Sequence, residues 1–156
     1  MDKLDVLKNS RLFGDLEVKE LKKLVTIGQE HYYRAGEELF HQGDSADELL
    51  LIAHGSVRIA KGLSLQEEEE DVIRLGSGSY FGEMAAVEGN EDRPVSVYAI
   101  EKAAVLGFKS EKLAKLCDDD PELGYHVYRA ITKAFARRIH RMVTDSAHYR
   151  TQALQH

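Results

Sequence analysis

Residues 33–59 read YRAGEELFHQGDSADELLLIAHGSVRI. Short runs with apolar, branched or aromatic content lie between glycines at Gly36, Gly43 and Gly55. No helix-length segment separates the runs, and glycines at this interval punctuate strands. The stretch predicts consecutive short strands that turn back on one another.

The same rhythm extends outward on both sides. QEHYYR precedes it, and SVRIAKG runs on from its end. DVIRLG, VSVYAI and AAVLGFK follow, with Gly62, Gly76 and Gly78 between. About seven or eight short strands over residues 29–109 suit a jelly roll or sandwich, and the missing crossover helices argue against an alternating β/α fold. The acidic stretch SLQEEEED, residues 64–71, is expected to be a solvated hairpin loop, with an acidic docking segment as the functional alternative.

Both flanks change to a helical period. In residues 2–28, Leu4, Leu7, Leu16, Leu21, Leu24 and Val25 recur at helical steps. Asp15 is placed to cap the second helix, and Leu12–Phe13 form an apolar plug in a turn ending at Gly14. In residues 110–156, SEKLAKLCDDD predicts a short helix with Ser110 as its cap and Glu111 in its first turn. A long helix follows, with Asp120 as cap and Pro121 at its first position. Its apolar stripe runs Leu123, Val127, Ala130/Ile131, Ala134/Phe135, Ile139 and Met142/Val143. Such a stripe has spare apolar surface toward its end, to cover a pocket or pair with a second copy.

Composition bounds the function. The 156 residues are 43% apolar and carry a single cysteine, Cys117, which fits one self-sufficient domain in a reducing compartment. The mixed-charge start, MDKLDVLKNS, does not resemble a signal peptide, and the longest apolar run, LLLIA, is too short to span a membrane. A cytoplasmic location is expected, without membrane contact. From residue 122 onward the balance is +4, so the rest of a chain of net charge −6 carries −10. An acidic body argues against nucleic-acid binding.

Residues 81–97, FGEMAAVEGNEDRPVSV, carry the chemistry. Gly82 lets backbone approach a ligand closely, and small side chains at Ala85 and Ala86 keep that approach open. Unpaired N–H groups at the start of the Glu83–Val87 turn suit a phosphate. An ionised Glu83 accepts hydrogen bonds only, so its natural partner is a hydroxyl. Arg93 offers a fork of donors matched to two phosphate oxygens. Together they fit a compact molecule with one phosphate and one free sugar hydroxyl. The plain alternative is a common Gly-Glu step beside a solvated or ion-paired arginine.

Nearly the whole chain resembles the cyclic nucleotide-binding domain, the regulatory β-roll of the catabolite activator protein, protein kinase A regulatory subunits and gated channels. LFGDLEVKELKKL resembles that family's N-terminal helices. The stretch quoted first carries its glycine spacing, and YFGEMAAVEGNEDRPVSVYAIEKAAVLGF resembles its phosphate-binding cassette and closing strands. The resemblance implies a mainly β fold with flanking helices: a double-stranded β-helix (jelly-roll) β-roll, N-terminal helices and a long C-terminal helix, in one domain spanning 1–156. It implies a phosphate-binding cassette at 81–95, with Glu83 on the ribose 2′-hydroxyl and Arg93 on the cyclic phosphate. Backbone donors around Gly82, Ala85 and Ala86 would complete the cradle, with Met84, Val95 and Ser96 beside them.

One residue departs from the family pattern. Pro94 stands where a residue with a backbone N–H commonly reaches the phosphate, and it has none. Losing a hydrogen bond to a charged group weakens binding by ~1.5–3 kcal/mol, roughly ten- to a hundredfold. Pro94 also offers the base no hydroxyl, which leans the expected ligand toward cyclic AMP over cyclic GMP. The base is expected against Val72, Ile73 and Val95, capped by Met142, Val143 and Thr144.

Other chemistries fit less well. No His-x-His occurs, so a cupin-like metal site, and with it a metalloenzyme, is not expected. Cys117 precedes three aspartates and is a poor nucleophile. No nucleophile–base motif declares itself, so the expectation is a binding module, with no catalytic residue and no cofactor beyond the nucleotide. Lys133, Arg137, Arg138 and Arg141 read as the exposed side of an amphipathic helix. Transcription-factor relatives carry a further helix-turn-helix domain for DNA, and here the chain ends about a dozen residues past the stripe. The C-terminal helix is expected to pair two copies or dock on a partner protein. The competing expectation is an interaction or dimerisation module whose pocket no longer binds.

Overall fold

The structure, a computed structural model, describes residues 1–62, 69–89 and 91–154. Two short helices open it, α1 (Lys3–Lys8) and α2 (Val18–Val25). The strands follow as β1 (Gln29–Tyr33), β2 (Glu38–Phe40), β3 (Ser45–Ala46), β4 (Glu48–His54), β5 (Ser56–Gly62), β6 (Glu69–Gly76) and β7 (Tyr80–Phe81). A one-and-a-half-turn helix, α3 (Glu83–Glu88), interrupts them before β8 (Glu91–Asp92), β9 (Ser96–Ala99) and β10 (Ala103–Lys109). Helices α4 (Ser110–Asp119) and α5 (Pro121–Leu154) complete the chain.

Every strand pairing is antiparallel. One sheet has the order β1-β10-β4-β7 and the other β2-β9-β5-β6, with β3 and β8 as a separate two-stranded ladder. The run LLLI in β4 shows how the layers are set. Alternate side chains of a strand face opposite sides of its sheet. Leu50 and Ile52 pack between the two sheets with Val57, Phe81, Val97 and Val105. Leu49 and Leu51 face the other way, into a cluster with Leu7, Phe13, Leu24, Leu113, Val127 and Ile131 from the helices. A strand covered on both faces reads as an unbroken apolar run, and this one does. The Leu12–Phe13 plug enters the same helical layer, where the Phe13 ring meets Phe108 edge-on at 6.2 Å.

Several local expectations change. Glu17, not Asp15, precedes α2: its N–H donates to Glu20 Oε1 at 3.3 Å, so the helix starts where its third residue reaches back. Lys109, not Ser110, holds the cap position of α4, because the Ser110 N–H donates to the Asp47 carbonyl and Ser110 is already helical. The expected loop at 64–71 is shorter. Glu69, Glu70 and Asp71 belong to β6, where the register sets Glu70 opposite Lys61, and 64–68 lie outside the described residues. The two-residue strands β3, β7 and β8 are too short for any periodicity to announce. Asp120 does cap α5, its Oδ1 accepting from the Leu123 N–H at 3.2 Å, with Pro121 as the first helical residue.

Candidate functional site

Helix α3 is positioned by one glycine. Gly82 has φ +81°, a left-handed conformation that carries the chain out of β7 and into α3. A Cβ there would stand 2.7 Å from both Arg93 Nη1 and the Glu48 carbonyl oxygen, so only glycine fits. The absent side chain is what brings the Arg93 guanidinium against the start of α3.

Arg93 is held from every side. Its N–H donates to the Asp44 carbonyl at 2.7 Å, and its own carbonyl accepts from the Gly43 N–H at 2.8 Å. Nη2 donates to the Glu48 carbonyl at 3.1 Å, and the guanidinium lies 4.1 Å from the centre of the Phe40 ring. Arg93 is only 7% exposed, yet it makes no ion pair among the described residues. Burial lowers its pKa, while Glu48, Asp47 and Asp44 oppose that shift from a distance. The carboxylate of Glu48 is engaged by His31 Nε2 at 3.0 Å.

Beside this guanidinium opens a cavity of about 570 Å³, within the size range of small-ligand sites. Gly82, Glu83, Met84 and Ala85 line it, and so do Arg93, Pro94 and Val95. Ile73 lines its apolar side with Ile59 and Leu75. Ala86 does not: as the next residue of α3 it points into the helical core, 4% exposed. Ser96 does not either, because β9 turns its hydroxyl inward to accept from the Gln42 N–H at 2.8 Å. The side chain of Val72 is outside the described residues.

The largest change concerns α5. Met142 and Val143 are 64% and 63% exposed and, like Thr144, do not line the cavity. Ala134, Arg137, Arg138 and Arg141 do. These follow the spacing of one helix face, and they continue the buried face of Val127, Ala130 and Ile131. The apolar stripe drifts off that face after Ala134, and arginines take its place over the cavity. Arg138, expected to be solvated, donates to Glu83 Oε1 and ties α5 to α3. The signal was present in the sequence as the i, i+3, i+4, i+7 steps from Ala134. It is hidden by the assumption that charge marks the outer face.

Cys117 is a poor nucleophile here. Burial, then Asp118 and Asp120, push the Cys117 thiol up to about 11, which keeps it protonated at neutral pH. Among the described residues, no group of three His, Cys, Asp or Glu side chains is arranged to hold a metal ion, and no helix is long and apolar enough to cross a membrane.

Residues 30–120, more than half of the chain, match the profile of the cyclic nucleotide-binding domain. The chain belongs to the cyclic nucleotide-binding domain family. This is a family of regulatory domains, and the β-roll with its long C-terminal helix is its fold. The cyclic AMP receptor protein of Thermus thermophilus is 34% identical over 69% of this chain and 50% of its own length. The cGMP-dependent protein kinase egl-4 of Caenorhabditis briggsae is 26% identical over 74% of this chain and 16% of its own length. The chain thus spans half or less of the curated relatives it matches. Among solved structures, the catabolite activator protein of Thermus thermophilus superposes with a TM-score of 0.77 and 28% identity, over 88% of this chain and 62% of that one. The regulatory domain of Toxoplasma gondii protein kinase A, solved with cAMP, shares the fold at a TM-score of 0.71 and 20% identity, over 86% and 49% of the two chains.

Proposed function

We propose that this cyclic nucleotide-binding domain is a ligand sensor that takes a 3′,5′-cyclic purine nucleotide between Arg93 and Glu83 and signals through α5. The observation that carries it is a buried guanidinium without an ion pair among the described residues, in a cavity that a carboxylate also lines. A charge kept out of water stays costly until an anion meets it, and a cyclic phosphate supplies that anion. Glu83 Oε1 takes Arg138, which leaves Oε2 to accept from the ribose 2′-hydroxyl. A nucleotide seated there contacts both α3 and the pocket face of α5. It shifts α5 by as much as it binds one helix position better than another.

Relatives are named for both cyclic AMP and cyclic GMP. Pro94 lines the cavity without a hydroxyl or an N–H, and taken alone it favours cyclic AMP. We place the protein in the cytoplasm, since its one cysteine is buried and unpaired.

Thermal unfolding tests the sensor. A ligand present at about 100 times its Kd adds about 2.7 kcal/mol, a rise of several degrees in Tm for a chain of this length. Millimolar cyclic AMP or cyclic GMP is expected to raise the Tm of the wild type and not of Arg93→Ala. No rise with either nucleotide would remove the proposal. A light-scattering mass indifferent to nucleotide would then favour a dimerisation module with a silent pocket.

A further inference from the structure

Beside Arg93 lies a pair of titratable side chains, Glu48 and His31, that does not line the cavity. Glu48 is on β4 and His31 on β1, with β10 between the two strands. The side chains meet across β10, His31 Nε2 standing 3.0 Å from Glu48 Oε2. Gly107 makes the crossing possible: a Cβ there would overlap the Glu48 carboxylate and stand 2.9 Å from His31 Nε2. The Glu48 side chain is 11% exposed and that of His31 25%, so the pair is largely out of water. Glu48 acts on Arg93 twice. Its carbonyl accepts from Nη2, and its carboxylate is the foremost of the charges that favour the guanidinium's proton. The other charges around the pair are matched or silent. Asp47 pairs with Lys109 at 3.2 Å, and Asp44 accepts from the His41 N–H. Glu30 of β1 meets the amino terminus and the Tyr32 hydroxyl. Tyr33 has its pKa raised by burial, then by Glu48 and Glu37, and stays neutral. Among these carboxylates, only that of Glu48 is met by an imidazole.

We propose that His31 is a positioning residue for nucleotide binding: acting through Glu48, it makes the affinity depend on pH. This rests on the reading in which Arg93 meets the cyclic phosphate. A cyclic phosphate is a diester with one negative charge and no proton to lose near neutrality, so a pH dependence has to come from the protein. Imidazole changes charge between about pH 5 and 8. With His31 protonated, the Glu48 carboxylate is matched, and the charge of Arg93 is left for the phosphate. With His31 neutral, Glu48 carries an unmatched negative charge in a buried setting, where charges act more strongly than in water. That charge repels the phosphate and competes with it for Arg93. The affinity is therefore higher on the acid side and falls as pH rises through the imidazole range. By linkage, the nucleotide favours the protonated imidazole in turn, so binding takes up protons.

Titration calorimetry with cyclic AMP and cyclic GMP tests this on the wild type, His31→Gln and Glu48→Gln, at about pH 8 and about pH 5.5. Wild-type affinity is expected to be about fivefold higher at the lower pH, the weak end of coupling between linked sites. Runs at neutral pH in buffers of different ionisation enthalpy are expected to show proton uptake. Both variants are expected to lose the pH dependence and the uptake, and they part in direction. His31→Gln binds at the weaker, alkaline level throughout, whereas Glu48→Gln binds at the tighter, acid level throughout. Glu48→Gln keeps the main-chain carbonyl that holds Arg93, and binding tighter than the wild type is a result that damage to the fold does not give. The proposal is overturned if wild-type affinity is the same at both pH values, if the dependence survives in His31→Gln, or if Glu48→Gln binds no more tightly than the wild type on the alkaline side. Those outcomes leave the nucleotide site standing. Absence of binding by both nucleotides at both pH values brings down the site and its pH dependence together.

Discussion

Gly82 and Arg93 work as one unit, because the missing Cβ of the first is the space used by the second. Gly82→Ala forces a side chain into a left-handed conformation, at roughly 1–2 kcal/mol, and places a methyl against the guanidinium and a carbonyl oxygen. Its Tm is expected to fall by at least a few degrees for a chain of this length. Nucleotide affinity is expected to fall further, since the methyl dislodges the group proposed to meet the phosphate. A variant that loses stability but keeps affinity would show that Arg93 does not depend on this contact. Both residues were legible in the sequence, as a Gly-Glu step and a lone arginine. The supports of Arg93 were not, because Phe40 and Glu48 lie on other strands, 53 and 45 positions upstream, and only the roll brings them together.

The long helix is an element with two ends of different character. Its start is pinned by Asp120, which accepts from the Leu123 N–H and pairs with Lys23 of α2. Those contacts, Lys23 first, hold the Asp120 carboxyl below its ordinary pKa. A depressed carboxyl stabilises the fold above its unfolded pKa of about 3.9, and this contribution is lost as pH falls through the lower, folded value. Asp120→Asn is expected to melt below the wild type at neutral pH, with the gap closing in acid over that window. A gap that persists unchanged at low pH would assign the effect to something other than charge. The cap was readable from Asp-Pro alone, since capping is local. The pocket face was not, because a helical period says which residues share a face and not what stands opposite.

For the whole molecule, α5 is the element proposed to meet a partner. Ile139, Met142 and Val143 leave the core face and stand 59%, 64% and 63% exposed. Three large apolar side chains along one helix are costly in water and are expected to be covered by the same helix of a second copy. Light scattering is expected to give a dimer, and Ile139→Glu/Val143→Glu to give a monomer that still binds nucleotide. A wild type that remains monomeric at every concentration would refute this. On that proposal the two faces of α5 would divide the work, Arg138 tying the helix to Glu83 and the outer apolar residues carrying its position to the partner.

The sequence by itself determined what depends on near neighbours along the chain: the glycine-spaced strands, the helical flanks, the Asp120–Pro121 start, and the Gly82, Glu83 and Arg93 set. Periodicity and turn chemistry act over a few residues, so they are written locally. Tertiary structure decided what faces the cavity. Burial depends on what stands opposite, so Ala86 and Ser96 went into the core, Met142 and Val143 into solvent, and three arginines to the pocket face of α5. A guanidinium is drawn to a cavity that holds Glu83 by the same electrostatics that would otherwise send it to water.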